Sequence, residues 1–250
     1  MQSIVTDLTC ALDPVCFMAK LGLTPDPWQG NLLRSSAQRS LLLCSRQTGK
    51  STVTAILALH RILYVPGSLV LMLSPSERQS GEIFKKMLGF YMQLGKPVRE
   101  RYATVLRLEL ENGSRCISLP GTEGTIRGYS GVNLLIIDEA SRVKDDLYYS
   151  VRPMLAVSGG DLVALSTPFG KRGFFYDEWE KGGAEWQRIQ LTAYDCPRIS
   201  QEFLEEERKA LGDWWFRQEY LCEFVERADS LFSHESIMAG ADPALKPLFG

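Results

Sequence analysis

The chain has 250 residues, 45% of them hydrophobic and 23% charged, which is ordinary for a globular protein and enough for one α/β domain with a small appendage. Its formal net charge is −2, so composition reveals no polyanion partner, and any contact with a nucleic acid must come from a local patch. No segment approaches the length of a membrane span, and the N-terminus lacks the basic start and apolar run of a signal peptide.

The cysteines argue against a zinc or redox motif. They form no C-x-x-C pair, and only His60 and His234 are available to join them as metal ligands. Scattered thiols in an α/β protein fit a reducing cytoplasm. The six are Cys10, Cys16, Cys44, Cys116, Cys196 and Cys222.

Two helical patterns come first in the chain. One covers residues 13–20, and the other begins at Pro27, because the missing N–H of proline costs nothing at a helix start. Residues 41–44 then form a short apolar strand, and residues 53–59 form a helix with a continuous apolar face. The turn between them contains Gly-Lys-Ser and is typical of a phosphate-binding loop.

The residue types in this loop suit a polyphosphate. A strand that turns sharply into a helix supplies converging N–H donors and the positive end of the helix dipole. Gly49 lets the backbone approach the ligand, Lys50 reaches the β- and γ-phosphates, and the Ser51 hydroxyl can ligate Mg²⁺. The loop departs from G-x-x-x-x-G-K-[ST], because Cys44 stands where the first glycine is expected. The predicted contacts are Ser45, Arg46, Gln47, Thr48, Gly49, Lys50, Ser51 and Thr52.

Further strands and helices follow. Residues 68–75 are apolar enough for a strand buried on both faces, and residues 76–94 form an amphipathic helix. Residues 104–110 and 115–119 alternate on either side of an Asn-Gly turn, which predicts a β-hairpin. A glycine-rich, partly basic segment then covers residues 120–131. The predicted inner side chains of the helix are Ile83, Phe84, Met87, Leu88 and Tyr91.

A second buried strand ends in two acids. Residues 134–137 are apolar, and Asp138 and Glu139 follow them directly. Ligands bind at the carboxyl ends of strands in α/β sheets. We therefore predict that Asp138 holds Mg²⁺ through its water shell, and that Glu139 orients and deprotonates a water for attack on the γ-phosphate. Together with the phosphate loop, this pair predicts nucleotide hydrolysis.

The C-terminal half is mostly helical. We predict a helix over residues 145–156, a strand over 162–166 and helices over 201–211 and 213–224. The pair Trp214-Trp215 suits either a base-stacking platform or the packing of a small helical subdomain against the sheet, and packing is the simpler interpretation.

The alternation of strands and helices predicts an α/β fold with a mostly parallel central sheet flanked by helices. With the phosphate loop and the acidic strand end, we predict a P-loop NTPase fold of the ASCE type, with a small C-terminal helical lid. The predicted divisions are a helical arm (1–25), an ATPase core (26–192), the lid (193–225) and a linker or tail (226–250).

Three further residues are candidates for the nucleotide site. No Asn-Lys-x-Asp guanine motif occurs, whereas the Gln29 amide, next to Trp28, can pair with adenine or can simply be solvated. Arg46 and Arg127 can each stabilise charge on a transferring phosphoryl group. Arg46 would act within its own subunit, and Arg127 would serve a neighbouring subunit as an arginine finger or be a solvated loop residue.

The order of these motifs resembles the large terminase subunit of tailed bacteriophages. In that family the phosphate loop usually carries an arginine and lacks its first glycine, as here. The stretches that carry the resemblance are Pro27-Trp28-Gln29, residues 45–52, Ile126-Arg127-Gly128, residues 134–140, residues 165–170 and residues 216–224.

The resemblance implies a role for each matching residue. Gln29 is then the adenine reader, Ser51 and Asp138 are the Mg²⁺ ligands, Glu139 is the catalytic base and Arg127 is the finger given to a neighbour. Arg46 and Lys50 are the basic residues of the loop. A coupling motif that senses the γ-phosphate and passes the change to the lid is implied for Ser166, Thr167 and Pro168.

The resemblance also implies a biological setting. We expect an ATP-driven motor that packs double-stranded DNA into a procapsid as a homo-oligomeric ring, pentameric in the family. Its implied partners are the portal protein and the small terminase subunit, in the host cytoplasm at the portal vertex. Family members carry a C-terminal nuclease domain, and we expect no nuclease activity from these 250 residues.

Two alternative functions and one candidate DNA-binding surface are also consistent with the sequence. A helicase uses similar motifs but needs a second RecA-like domain, and an ATP-gated DNA clamp or assembly module would hydrolyse little. For DNA contact, Arg99, Arg101 and Arg107 cluster with Lys96, although a solvated helix end and an exposed hairpin face explain the same residues.

Overall fold

The structure is a computed structural model, and it describes residues 2–120 and 128–226. The strands are β1 (Arg39–Cys44), β2 (Leu69–Ser74), β3 (Glu100–Ala103), β4 (Arg107–Leu110), β5 (Arg115–Pro120), β6 (Leu134–Asp138), β7 (Asp161–Ser166) and β8 (Trp186–Leu191). The α-helices are α1 (Gln2–Leu12), α2 (Pro14–Lys20), α3 (Pro27–Leu33), α4 (Lys50–Tyr64), α5 (Glu77–Gln93), α6 (Asp145–Val151), α7 (Gly173–Lys181) and α8 (Gln201–Glu219). Short 3-10 helices cover Ala140–Arg142, Arg152–Leu155 and Ala193–Asp195.

The strands form one mixed sheet in the order β3-β4-β5-β2-β6-β7-β1-β8. The strands from β5 to β8 in this order run parallel, and β4 pairs antiparallel with both β3 and β5. The carboxyl ends of β1, β6 and β7 therefore meet at one edge of the sheet. The predicted fold class is confirmed.

Side chains of the central strands alternate between two apolar clusters. On β1, Leu42 and Cys44 pack on the side of α2 to α5, whereas Leu41 and Leu43 pack on the side of α6 and α7. Strands this apolar are stable only when helices cover both faces, because each face must be removed from water. Both faces of the sheet are therefore core.

Several predicted elements are confirmed. The segment around the Asn-Gly turn forms the β4–β5 hairpin, although β4 begins at Arg107 rather than at residue 104. Strand β3, which the sequence pattern did not predict, extends the hairpin at the sheet edge. Helix α5 buries Ile83, Phe84, Met87 and Tyr91, and Leu88 is partly buried. Helix α3 begins at Pro27, as expected, with Asp26 as its N-cap.

Two predicted helices end earlier than expected. The helix predicted over residues 145–156 stops at Val151, and a 3-10 helix with Pro153 near its start continues the chain. The division predicted between residues 201–211 and 213–224 is confirmed, because α8 consists of two helical stretches separated by the non-helical backbone of Gly212 (φ 77°, ψ 164°). The second stretch ends at Glu219, earlier than predicted. Cys222, at φ 57°, has left-handed backbone that a helix does not continue through.

The segment that includes α8 has a small cluster of its own, with Ala193, Leu204 and Phe216 buried. Phe216 supports the packing interpretation, whereas Trp215 is 49% exposed. The domain boundaries stay predictions, and beyond Glu226 the predicted tail lies outside the described residues. Within residues 2–120 and 128–226, no helix is long and apolar enough to cross a membrane.

Asp13 fixes the start of α2 in two ways. Its Oδ1 accepts from Val15 N (2.9 Å) as an N-cap, and its carboxylate also accepts two hydrogen bonds from Arg34 (3.1 and 2.6 Å). The Arg34 guanidinium lowers the pKa of Asp13 to about 2. The ion pair therefore stabilises the fold above the usual pKa of the carboxyl, and its contribution is lost as pH falls towards 2.

We predict that Asp13→Ala destabilises the protein by about 1–2 kcal/mol at pH 7, because it removes both the cap and the ion pair. Asp13→Asn should cost less, because asparagine keeps the cap. Urea unfolding at pH 7, 4 and 2.5 measures both variants. The deficit of Asp13→Asn should shrink between pH 4 and 2.5, and a deficit independent of pH would contradict the ion-pair assignment.

Candidate active site

The turn between β1 and α4 is a compact loop anchored to its neighbours. The Thr48 hydroxyl donates to the carbonyl of Ser45 (3.0 Å), and Ser45 N donates to Leu191 O on β8 (2.9 Å). Two residues of the turn, Gln47 (φ 61°) and Gly49 (φ 89°), have left-handed backbone. The predicted phosphate loop is therefore a strand-to-helix turn at the carboxyl edge of the sheet.

Gly49 has no room for a side chain. A Cβ at this position would lie 2.7 Å from Nε2 of Gln29, which donates to the carbonyl of Gly49 (3.4 Å). The Gln29 Oε1 accepts from Asp26 N (2.9 Å), and the Gln29 side chain is buried. Both ends of the amide thus bind backbone groups, so pairing with adenine, which stays a prediction, would have to replace these contacts. Trp28, beside it, is partly buried against the apolar cluster.

Arg198 also holds the loop, and the sequence analysis missed it. Its guanidinium pairs with the Asp26 carboxylate (3.0 and 2.8 Å), and its Nη2 also donates to Thr48 O (3.3 Å). The nearby Cys196 Sγ lies 3.8 Å from Gln47 O. A lone arginine in a turn has no local pattern, so nothing in the sequence signalled a contact with a loop 150 positions earlier.

The acidic strand end lies beside this loop. Asp138 is 8% exposed, and its Oδ1 accepts from Glu139 N (3.0 Å). Burial, reinforced by the charge of Glu139, raises the pKa of Asp138 to about 6, and Lys50 and Lys86 act in the opposite direction. A cation bound here would favour the charged carboxylate.

Glu139 lies between two cations. Its Oε1 is 3.7 Å from Lys50 Nζ, and its Oε2 is 3.8 Å from Arg142 Nε. Both distances are within the range of an ion pair but are too long for a hydrogen bond. The backbone of Glu139 is left-handed (φ 49°, ψ 41°), which is uncommon for a residue other than glycine. The structure thus brings the loop lysine and the predicted base together.

Lys86 on α5 is a further cation that the sequence analysis did not single out. Its Nζ donates to the hydroxyl of Thr52, in the first turn of α4 (3.2 Å). The positive charge of Lys86 also acts to lower the pKa of Asp138, against the effect of burial. The long amphipathic helix predicted at α5 gave no sign that one of its exposed lysines faces the phosphate loop.

Arg46 contacts the C-terminal helical segment. Its Nε donates to Glu219 Oε2 (2.7 Å) at the end of α8, and this hydrogen bond raises the pKa of Arg46. The Arg46 side chain is 67% exposed, whereas that of Glu219 is 10% exposed. Arg46 therefore links the phosphate loop to the predicted lid.

The predicted coupling residues are connected to the acidic strand end. The Ser141 and Ser166 hydroxyl oxygens are 2.6 Å apart, and the Ser141 hydroxyl also donates to Thr167 O (2.7 Å). Ser141 is two positions after Glu139, and Pro168 continues the turn from β7. The segment 166–168 thus contacts the chain that carries the acids.

The candidate DNA residues do not join this site. They belong to the β3–β4 edge, and β3 is six strands away from β1 in the sheet order. Arg99 pairs with Glu111 (3.7 Å), and Arg107 pairs with Glu109. Arg101 and Arg107 both line an open cleft of about 700 Å³. Arg127 lies outside the described residues.

The described residues contain no cluster of three or more His, Cys, Asp or Glu side chains able to hold a metal ion. Magnesium does not need such a cage, because it is usually held by one or two protein oxygens together with waters and phosphates. The Asp138 carboxylate and the Ser51 hydroxyl are suitable donors. A buried carboxylate with a raised pKa also fits a cation, which would offset the cost of its charge.

The chain matches one protein-family model, described as "Terminase large subunit, T4likevirus-type, N-terminal", over residues 41–238. The chain belongs to this family. The terminase domain is also similar to the large terminase subunit of Thermus phage G20c, with 27% identity over 252 residues, covering 87% of this chain and 52% of the relative. The large terminase subunit of Escherichia phage T5 is 27% identical over 219 residues, covering 83% of this chain and 49% of the relative. The chain spans about half the length of these curated relatives.

Solved structures of large terminases share the fold of this domain. The ATPase domain of the Thermus phage P74-26 large terminase superimposes with a TM-score of 0.75 at 24% identity, covering 84% of this chain and 97% of that chain. The large terminase of a thermophilic bacteriophage, in complex with ADP, gives a TM-score of 0.65 at 12% identity, with coverages of 80% and 54%. The HK97 large terminase gives a TM-score of 0.67 at 16% identity, covering 80% of this chain and 51% of that chain.

We predict that Gly49→Ala destabilises the terminase domain more than Gly67→Ala does. Both glycines have positive φ, but a Cβ at Gly67 would meet nothing within 4 Å. Gly67→Ala should therefore cost about 1–2 kcal/mol for backbone strain alone. Gly49→Ala should add about 1 kcal/mol for each hydrogen bond lost when Gln29 moves.

The free energy of unfolding from urea titrations measures this difference. Equal losses for the two variants would contradict the close approach of Gln29 to Gly49.

Proposed function

We propose that this terminase domain hydrolyses ATP and uses the energy to move double-stranded DNA. The observation that carries the proposal is the ion pair between Lys50 and Glu139 (3.7 Å) at the carboxyl edge of the sheet. This distance supports a site in which Lys50 would bind the phosphates and Glu139 would act as the base for the attacking water. Membership of the terminase family and the ADP complex of a structural neighbour support the same function.

Each residue of the loop has a proposed task. Ser45, Arg46, Gln47, Thr48, Gly49, Lys50, Ser51 and Thr52 surround the phosphates, and Lys50 neutralises their charge. Gln29 and Trp28 would contact the adenine base of the nucleotide, and the Gln29 amide would recognise it. Glu139 orients the water and takes its proton. Arg127, supplied by a neighbouring subunit, and Arg46 stabilise charge as the γ-phosphate leaves.

Mg²⁺ would be held by Asp138 and Ser51. When bound, the ion neutralises the negative charge of the phosphate oxygens and orients them. Asp138 and Glu139 keep separate roles because their surroundings differ. Asp138 is buried among apolar strands, whereas Glu139 is paired with two cations and partly exposed.

Ser166, Thr167 and Pro168 would couple hydrolysis to movement of the helical lid. The hydroxyl contact between Ser141 and Ser166 supports this role, because it ties the turn after β7 to the residue two positions beyond Glu139. The contact of Arg46 with Glu219 supports a second connection between the loop and the lid.

The proposed setting follows from the family. The domain would work as a homo-oligomeric ring, pentameric by family, with the portal protein and the small terminase subunit, in the host cytoplasm. Arg99, Arg101 and Arg107 are the proposed DNA contacts, and of these Arg101 has the best support, because the other two pair with neighbouring carboxylates.

Steady-state ATP hydrolysis over a range of protein concentrations, with and without double-stranded DNA, tests the proposal. We predict that Lys50→Ala and Glu139→Gln each lower kcat by roughly 100-fold or more, as expected when a preorganised charge or a general base is lost. Lys181→Ala is a matched control, because it removes a lysine from an exposed ion pair with Asp177 (3.1 Å) far from the loop.

Mixing experiments test the shared site. Specific activity should rise with concentration, and inactive Glu139→Gln subunits should restore activity to Arg127→Ala subunits. Activity that is independent of concentration and survives loss of Arg127 would favour a self-contained ATPase of the helicase type. Nucleotide binding without hydrolysis at any concentration would favour an ATP-gated clamp and overturn the motor.

A further inference from the structure

Arg142 has a position that the nucleotide site described above does not explain. It ends the 3-10 helix Ala140–Arg142, three residues after Glu139, and its Nε lies 3.8 Å from Glu139 Oε2. Its guanidinium also lies over the ring of Phe169, with Cζ 4.0 Å from the ring centroid. Phe169 belongs to the turn that follows β7. One side chain therefore contacts both the predicted base and the turn next to it in space.

A lysine could restore the charge beside Glu139 but would not make both contacts at once as the guanidinium does. A planar guanidinium can stack on an aromatic ring with its face and pair with a carboxylate at its edge, so the two contacts do not compete. The side chain of Arg142 is 32% exposed and that of Glu139 is 23% exposed, so solvent screens the pair only in part.

Nucleotide binding would make Glu139 more dependent on Arg142. In the structure Glu139 is also 3.7 Å from Lys50. Lys50 must turn to the phosphates if it is to neutralise them, and its ion pair with Glu139 weakens when it does. Arg142 is then the cation that continues to hold the carboxylate.

We propose that Arg142 is a positioning residue that holds the Glu139 carboxylate for its reaction and ties its position to Phe169. This inference rests on the proposed ATP hydrolysis. The 3-10 helix Ala140–Arg142 would then contact the region after β7 at two points, through Arg142 and Phe169 and through the hydroxyls of Ser141 and Ser166. A shift of the turn after β7 would move Phe169, and Arg142 would transmit the shift to Glu139.

The test measures kcat and nucleotide affinity separately in the full 250-residue chain. Arg142→Ala should lower kcat about 10- to 100-fold, as expected when a reacting group is misplaced by about 1 Å. The Kd for ATP, measured by fluorescence titration, should stay within about twofold, because Arg142 does not belong to the loop. Arg142→Lys should recover part of kcat, because it restores the charge but not the stacking.

Arg152→Ala is a matched control. Arg152 also pairs with a glutamate, Glu178 (3.2 Å), and lies over an aromatic ring, that of Tyr148 (5.7 Å), away from the loop. It should lose similar structural contacts and leave kcat unchanged. Melting curves of both variants establish that they are folded, and an equal loss of kcat in both would assign the effect of Arg142 to general destabilisation and overturn the inference.

A double-variant cycle separates positioning from a direct role. In single-turnover hydrolysis, adding Arg142→Ala to Glu139→Gln should lower the rate less than twofold, because Arg142 acts through Glu139. A full 10- to 100-fold loss in that background would show that Arg142 acts on the nucleotide independently and would overturn the inference. Phe169→Leu should lower kcat about threefold, as expected for loss of a partly exposed cation–π contact.

The wild type distinguishes this inference from the proposed function. If the wild type hydrolyses ATP and Arg142→Ala has wild-type kcat, the inference fails and the proposed function stands. If the wild type does not hydrolyse ATP at any protein concentration, and mixtures of Glu139→Gln and Arg127→Ala subunits do not either, the proposed function fails. The role of Arg142 then fails with it.

Discussion

The register of three parallel strands brings the site together. Strand β7 lies between β1 and β6, and Leu165 is opposite both Leu42 on β1 and Asp138 on β6. The chains that leave β1 and β6 are therefore separated by two strand spacings, roughly 10 Å. A lysine and a glutamate, reaching from opposite sides, close this gap to an ion pair of 3.7 Å. A shift of register by one residue would turn the inner side chains of a strand to its other face and would separate the pair.

The same arrangement explains why Asp138 is costly to the fold. Asp138 is the last residue of a strand buried on both faces, and burial raises its pKa to about 6. A carboxylate whose folded pKa is raised above the usual value of 3.8 makes the folded state less stable as pH rises from about 4 to 6, because over this range the unfolded chain releases a proton that the folded state retains. The apolar helices on both faces of the sheet offset this cost. Functional sites commonly retain such groups at the expense of stability.

Much of this site could be predicted because its parts are local in sequence. The apolar runs before Cys44 and Asp138, the glycine at position 49 and the Asn-Gly turn of the hairpin each depend on neighbouring residues, and periodicity or turn chemistry reports them. Arg142, Arg198 and Glu219 could not be predicted this way. Their roles depend on contacts with partners on other elements, and an isolated arginine or glutamate has the same sequence signature whether it is solvated or part of a site.

The elements that differed have local causes that only the folded chain makes decisive. The pattern over residues 145–156 is helical throughout, but Pro153 cannot donate an N–H to the preceding turn, so the chain changes to a 3-10 helix after Val151. Strand β3 is short and exposed, and its pairing with β4 rather than its composition makes it a strand. Pairing of this kind is not visible to periodicity, because an edge strand need not bury either face.

Two arginines connect the phosphate loop to the C-terminal helical segment from different directions. Arg46 extends from the loop to Glu219 at the end of α8, and Arg198 extends from the start of that segment back to Asp26 and Thr48. Both contacts cross between the loop side of the domain and this segment, so movement of the segment against the sheet would strain them. The arginine side chain of each pair is at least half exposed, so a bound phosphate can compete for its guanidinium. Because Arg46 is a loop residue and Glu219 is mostly buried, such competition would leave a buried carboxylate without its partner, and movement of α8 would return that carboxylate to solvent.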